Sequence, residues 1–215
     1  MKIIEPTFEM LRPGNAAEGV EMLRFIEQMA RISHRSEERQ TTDTWERFIR
    51  AVVLEKGDWS VVEHATATVI FRVDRGVTHE LVRHRLFSYT QESTRFVNYG
   101  KREMEFIQPT GLEQYEAQFI LSCADAEQSY KKLLVGTSPQ IARSVLPNAL
   151  ASTIAVTGNL RNWRHFLIMR TSRETHPDFR RVTIPLLKVF QDRIPLLFDD
   201  IIPNERQIDA MSKPR

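Results

Sequence analysis

The 215 residues carry 30 basic and 28 acidic side chains, a formal charge of +2, too small a surplus to argue for nucleic-acid binding. A hydrophobic share of 41% and a charged share of 27% are ordinary for a globular chain; no apolar run approaches the roughly 20 residues that span a bilayer, and no leader pattern opens the sequence, so a cytoplasmic location is expected. The single cysteine, Cys123, excludes an internal disulfide and a cysteine-built metal cluster.

No linker or internal repeat divides the chain, so a single domain over 1–215 is the simplest organisation. Asn15 precedes a helical pattern of Ala16, Val20, Leu23, Phe25, Ile26 and Met29. The polar stretch Arg31 to Arg39 reads as a loop. Asp43-Thr44-Trp45-Glu46 has the form of a capping box, opening a second helix with Trp45, Phe48, Ile49, Val52 and Val53 inward, closed by Gly57. Ser60-Val61-Val62-Glu63-His64 is a second possible capping box. Ala65 to Val73 alternates, with Ala65, Ala67, Val69, Phe71 and Val73 on one strand face. Gly76 is expected to turn the chain, and Val77 to Arg85 to resume a helix on which His79 and Arg83, and Glu80 and His84, are neighbours one turn apart.

Ser88 to Arg95 has neither period and reads as a loop, in which Tyr89 either packs or stacks on a ring. Arg102 to Ile107 predicts a strand, and Leu112 to Leu134 a long helix buried through Leu112, Tyr115, Phe119, Ala126, Tyr130 and Leu133. Cys123 lies within that helix, where a thiol is an inert core residue, so covalent attack by Cys123 is rejected. Ser138-Pro139 starts a short helix carrying Arg143. Ala149 to Thr157 predicts a third strand, Asn159 to Arg170 a helix with Leu160, Trp163, Phe166 and Leu167 in the core, and Phe179 to Phe198 a last helix kinked or broken at Pro185 and Pro195, followed by a polar tail beyond Pro203. Strands mixed with helices without strict alternation predict an α+β fold with a central, mostly antiparallel sheet.

One stretch does not serve a core. Arg83-His84-Arg85, seven residues, then Ser93-Thr94-Arg95 collect three arginines, a histidine and hydroxyls. Guanidinium forks match phosphate oxygens in pairs and hydroxyls complete an anion site, which points to capture of a phosphorylated small molecule; a solvated helix end with a polar turn is the alternative. This pattern resembles the signature of flavin-dependent thymidylate synthases. The likeness extends to Ser60–His64, to Ala142-Arg143 before Leu146-Pro147, and to Asn159–Arg170.

The resemblance implies methylation of dUMP to dTMP with methylenetetrahydrofolate as one-carbon donor and FAD mediating reduction by NADPH, in a homotetramer with shared sites. Carried over residue by residue, it implies that Glu80, Leu81, Val82, Arg83, Gln91, Glu92, Ser93, Thr94, Arg95, Arg143 and Arg170 hold dUMP, with Arg170 activating the uracil. Flavin contacts fall on Ser60, Arg83, His84, Arg85, Gln91, Asn159, Leu160, Arg161 and His165, with His176 a further candidate. The sequence departs from the family where Asp58 replaces histidine, Gln91 glutamate, Phe96 tyrosine and His165 asparagine. Nine residues separate Arg161 from Arg170, about 180° of helix at about 100° per residue, so the two are expected to serve different pockets or different copies of the site. A basic RNA-binding module, or another flavin-dependent nucleotide methylase, are the competing functions.

Overall fold

The computed structural model describes residues 1–204; the tail from residue 205 lies outside them. Its elements are β1 (Lys2–Ile3), β2 (Thr7–Arg12), α1 (Ala16–Ile32), α2 (Trp45–Phe48), β3 (Thr66–Asp74), α3 (Arg75–Leu81), β4 (Ser88–Gln91), β5 (Glu105–Phe106), α4 (Glu116–Leu134), α5 (Pro139–Ala142), β6 (Ala151–Asn159), α6 (Leu160–Arg170) and α7 (Pro177–Arg193). Four strands form a sheet of order β2-β3-β6-β4, and β1 pairs parallel with β5. This is an α+β architecture with antiparallel strands, as expected. Among the described residues no helix is long and apolar enough to cross a membrane.

The chain divides into two compact units. The first comprises Met1–Phe8, Ile70–Arg85 and Tyr89–Ala155. Its core gathers Tyr99, Met104, Phe106, Cys123, Tyr130 and Leu150. Helix α4 buries the face its sequence suggested only in part: Tyr130 is fully buried and Phe119 packs against the core, whereas Leu133, and Tyr115 just before the helix, are exposed, and Cys123 and Glu127 point inward. Ile120 and Leu121 are exposed as well, so apolar residues lie on several sides of this helix and their period alone cannot select one. Glu127 tolerates burial because the Met1 ammonium stands 3.1 Å and Lys131 2.8 Å away; burial works against its charge, but these two cations hold its carboxyl below the usual range.

The second unit comprises Glu9–Val69, Leu86–Ser88 and the described residues from Val156. Trp163 and Phe166 of α6 pack edge-on to each other at 5.4 Å, and Phe190 of α7 lies 5.2 Å from Trp163. Phe87 meets Trp163 at 4.7 Å and presses on Gly158, where an added Cβ would lie 2.1 Å from its ring. Arg164 is buried among these groups, stacked over Trp59 at 4.7 Å and held by both oxygens of Asp200 at 2.6 Å.

Several local expectations are corrected. Neither capping box forms: Thr44 donates to Glu27 at 3.0 Å, Ser60 donates to Asp58 at 2.8 Å, and Trp59–His64 is a 3₁₀ turn. Helix α1 runs on to Ile32 because Arg31 pairs with buried Glu27 at 2.6 Å. The second helix widens into a π turn over Ile49–Glu55 before Gly57 ends it at a φ of 76°, a left-handed value that favours glycine. Gly76 does not turn the chain but lies in α3, where a Cβ would stand 2.8 Å from the capping oxygen of Asp74. Helix α7 is unbroken through Pro185, held by buried Val182, Leu186 and Leu187, and ends before Pro195. Strand β3 does alternate as its sequence prescribes, burying Ala67, Val69, Phe71 and Val73.

Because Phe87 occupies the space of a side chain at 158, Gly158→Ala is expected to destabilise the protein by about 1–3 kcal/mol, read as a lower denaturation midpoint with an unchanged far-ultraviolet spectrum.

Candidate functional site

The nucleotide set and the flavin set fall largely in different units. Arg83, Gln91, Glu92, Ser93, Thr94, Arg95 and Arg143 belong to the first; Ser60, Asn159, Leu160, Arg161, His165 and Arg170 belong to the second.

In the first unit, α3 ends at Leu81, short of the predicted helix, so Arg83, His84 and Arg85 leave it in a tight turn. The predicted helical spacing therefore does not run on through Arg83 and His84. The chain closes instead through three-residue bonds, Arg83 N to Glu80 O and His84 N to Leu81 O, and the Tyr89 hydroxyl donates to the carbonyls of Leu81 at 2.7 Å and His84 at 2.8 Å. That use of Tyr89 decides for packing: burial pushes its phenol up to about 12, which keeps the donating proton in place. Leu81 is fully buried, Glu80 and His84 are half-buried, and Val82, Arg83 and Arg85 are exposed.

The segment after this turn is not a loop throughout, for Ser88–Gln91 is strand β4. Gln91 donates its amide to Thr78 at 3.0 Å and Ser152 at 3.2 Å. A turn begins at Ser93, whose hydroxyl accepts from Arg95 N at 3.3 Å and whose carbonyl accepts from Val97 N at 2.9 Å. Arg143 donates to buried Thr94 at 3.1 Å, and Arg95 reaches Gln140 at 3.4 Å. The Ser93–Arg95 turn and the 140–143 segment therefore meet at two points, with both guanidiniums on exposed residues. Among the described residues no bond ties Arg83 to either.

In the second unit Asn159 caps α6, accepting from Asn162 N at 2.9 Å. Arg161 pairs with Glu63 at 2.6 Å, and Leu160, fully buried, donates its N–H to Ala65 O at 2.9 Å. These contacts bring the Ser60–His64 and Asn159–Arg161 segments side by side. His165 is exposed; Arg170 lies over the Phe179 ring at 5.4 Å, and its carbonyl accepts from Thr183 at 2.7 Å. Arg161 and Arg170 thus turn to different neighbours, Glu63 and Phe179. His176 caps α7, accepting from Asp178 N at 3.3 Å.

Sequence reading missed a cleft of about 310 Å³ beside Asp58, lined by Arg31, Ser33, His34, Ser36 and Lys56 over Phe48 and Val52. The signal was present in the Glu27-to-Arg31 spacing of one helical turn, which carries α1 into the start of the stretch expected to be a loop.

Together these features define an α+β protein whose turns carry arginines held by neutral partners. The chain belongs to the thymidylate synthase complementing protein family, whose model matches residues 20–196. It is 38% identical over 168 residues to the flavin-dependent thymidylate synthase of Corynebacterium glutamicum, covering 69% of this chain and 66% of the relative. It is also 38% identical over 179 residues to that of Mycobacteroides abscessus, covering 74% and 70%. The chain spans about two thirds of the length of these relatives. Its fold is similar to the crystal structure of a UMP/dUMP methylase, PolB, from Streptomyces cacaoi bound with 5-Br UMP, with a TM-score of 0.73 at 21% identity, covering 93% of this chain and 95% of that one.

Cys123 is buried, and burial pushes its thiol up to about 11, so it stays protonated and non-nucleophilic at neutral pH. Iodoacetamide at pH 8 is expected to leave Cys123 unmodified in the native protein and to alkylate it fully in denaturant, as mass spectrometry would register.

Proposed function

We propose that this chain is a cytoplasmic flavin-dependent thymidylate synthase that converts dUMP to dTMP, drawing the one-carbon unit from methylenetetrahydrofolate and electrons from NADPH. One observation carries the reading: Arg143 on Thr94 and Arg95 beside Gln140 set two guanidiniums and the Ser93 hydroxyl around one turn. Two cations with a neutral donor suit a phosphate monoester dianion, and charge-assisted contacts of this kind are each worth about 1.5–3 kcal/mol. Arg83, in the exposed turn after α3, would add a third cation, with Glu80 and Gln91 at the margins of the pocket.

The donors and acceptors of the second unit suit a flavin dinucleotide. Arg161 keeps further N–H groups beyond the one given to Glu63, Ser60 keeps its lone pairs, and the neighbouring cleft adds His34 and Lys56 for a pyrophosphate. FAD, when bound, supplies the redox chemistry. Ser60, Asn159, Arg161 and His165 would hold it, with Arg83, His84, Arg85 and Gln91 meeting it from their own segment. Arg170 would favour ionisation of the uracil ring nitrogen by placing a fixed positive charge beside it; its stacking on Phe179 and the anchored carbonyl support a rigid orientation. A homotetramer with shared sites is supported by the opposed directions of Arg161 and Arg170 and by Tyr115, Ile120 and Leu121 exposed on and beside α4.

Purified protein is expected to show flavin absorbance, or to gain it on adding FAD; no flavin band in either case would favour a binding module. The gene is expected to restore growth of a thymidine auxotroph, and Arg170→Ala to lower turnover by about 10²–10³ and abolish that growth. Growth unaffected by the substitution would contradict the assignment of Arg170.

A further inference from the structure

We propose that Arg72, Glu92 and Tyr99 form a staple across the base of the 93–98 loop, and that Glu92 positions the loop without touching the ligand. Glu92 Oε1 accepts from the Tyr99 hydroxyl at 2.7 Å. Its Oε2 accepts from Arg72 Nη1 at 2.7 Å and from Thr153 N at 3.2 Å, while its own N–H donates to Thr153 O at 2.8 Å. A carboxylate offers about four acceptor sites, and three are taken from within the protein. Arg72 is committed in turn, donating to Thr153 Oγ1 at 3.0 Å and to Glu105 Oε2 at 2.6 Å. Glu92 and Arg72 are about a fifth and a quarter exposed, so their attraction is only partly screened by water.

The two ends of the loop are thereby fastened to each other. Glu92 precedes Ser93; Tyr99 follows Asn98, buries its ring against Tyr130 at 6.0 Å and donates its backbone N–H to the Tyr130 hydroxyl at 3.3 Å. Between them, Ser93 nucleates a tight turn through Arg95 N and Val97 N, so fixing the ends fixes where Ser93 and Arg95 stand. The protonation states needed are held in place. Burial first, and then Glu92, raise the Tyr99 pKa, so it remains a donor; burial opposes the charge on Arg72, but Glu105 and Glu92 outweigh it and raise its pKa. For the identity of the anion, though not for the staple, this inference rests on the dUMP reading.

The test compares wild type with Tyr99→Phe, which removes one hydroxyl and leaves the ring, and with Arg72→Gln. Hydrogen exchange of the 93–98 amides is expected to be roughly tenfold faster in both variants, with the α4 amides unchanged. On flavin-loaded protein the dissociation constant for dUMP is expected to rise roughly tenfold, while that for deoxyuridine, which lacks the phosphate, does not move. Unchanged exchange, retained dUMP affinity, or equal weakening of both ligands would overturn the staple. A wild-type protein that ignores dUMP would retire the dUMP reading, and the exchange measurement would still decide the staple.

Discussion

The contact on which the account depends is the 3.1 Å bond from Arg143 to the Thr94 hydroxyl. It ties a turn of the central arginine-rich stretch to a segment about fifty residues further on, and it does so with a buried hydroxyl that holds the guanidinium without neutralising it. A carboxylate in the place of Thr94 would fix Arg143 equally well and cancel its charge. The bond from Arg95 to Gln140 follows the same rule, a neutral partner for a cation kept available. Arginines with structural duties are treated otherwise: Arg164 takes both oxygens of Asp200, Arg31 takes Glu27, and Arg72 takes Glu92 and Glu105. Partner chemistry therefore separates these three arginines, paired with carboxylates, from Arg95 and Arg143, whose neutral partners leave their charge in place.

Helix α6 divides its labour by rotation. Its buried face carries Trp163, Phe166 and Leu167, its start carries Asn159 and Arg161 against the 59–64 turn, and its end carries Arg170 against α7. An eleven-residue helix has three turns, so polar side chains nine positions apart diverge while the core stripe between them stays continuous. The same helix can therefore equip two surroundings without giving up its packing.

The strands were legible because burial on one face leaves a period of two: β3 shows it from Ala67 to Val73, and β6 falls close to its expected span. Helix α6 was legible because its cap, apolar stripe and end coincide. What failed to read had tertiary causes. Ser88–Gln91 joins the sheet edge with polar residues whose alternation carries no hydrophobic signal, and α3 stops early where the Tyr89 hydroxyl, from the strand that follows, takes the carbonyls of Leu81 and His84. The Ser60 hydroxyl donates to Asp58 at 2.8 Å, where a capping box would have had it accept from the Glu63 amide. The candidate site was readable as residue types; the distribution of its members between two units, and the commitment of the Glu92 carboxylate to Tyr99, Arg72 and Thr153, depended on pairings between segments that share no local pattern.

The most direct measurement is a double-mutant cycle on dUMP binding with Arg95→Ala, Arg143→Ala and both together, run beside deoxyuridine. The account predicts that each single change weakens dUMP by about tenfold or more, that the double change costs less than the product of the two, and that deoxyuridine is unaffected. Strictly multiplicative losses, or equal losses for the nucleoside without phosphate, would contradict a shared phosphate clamp.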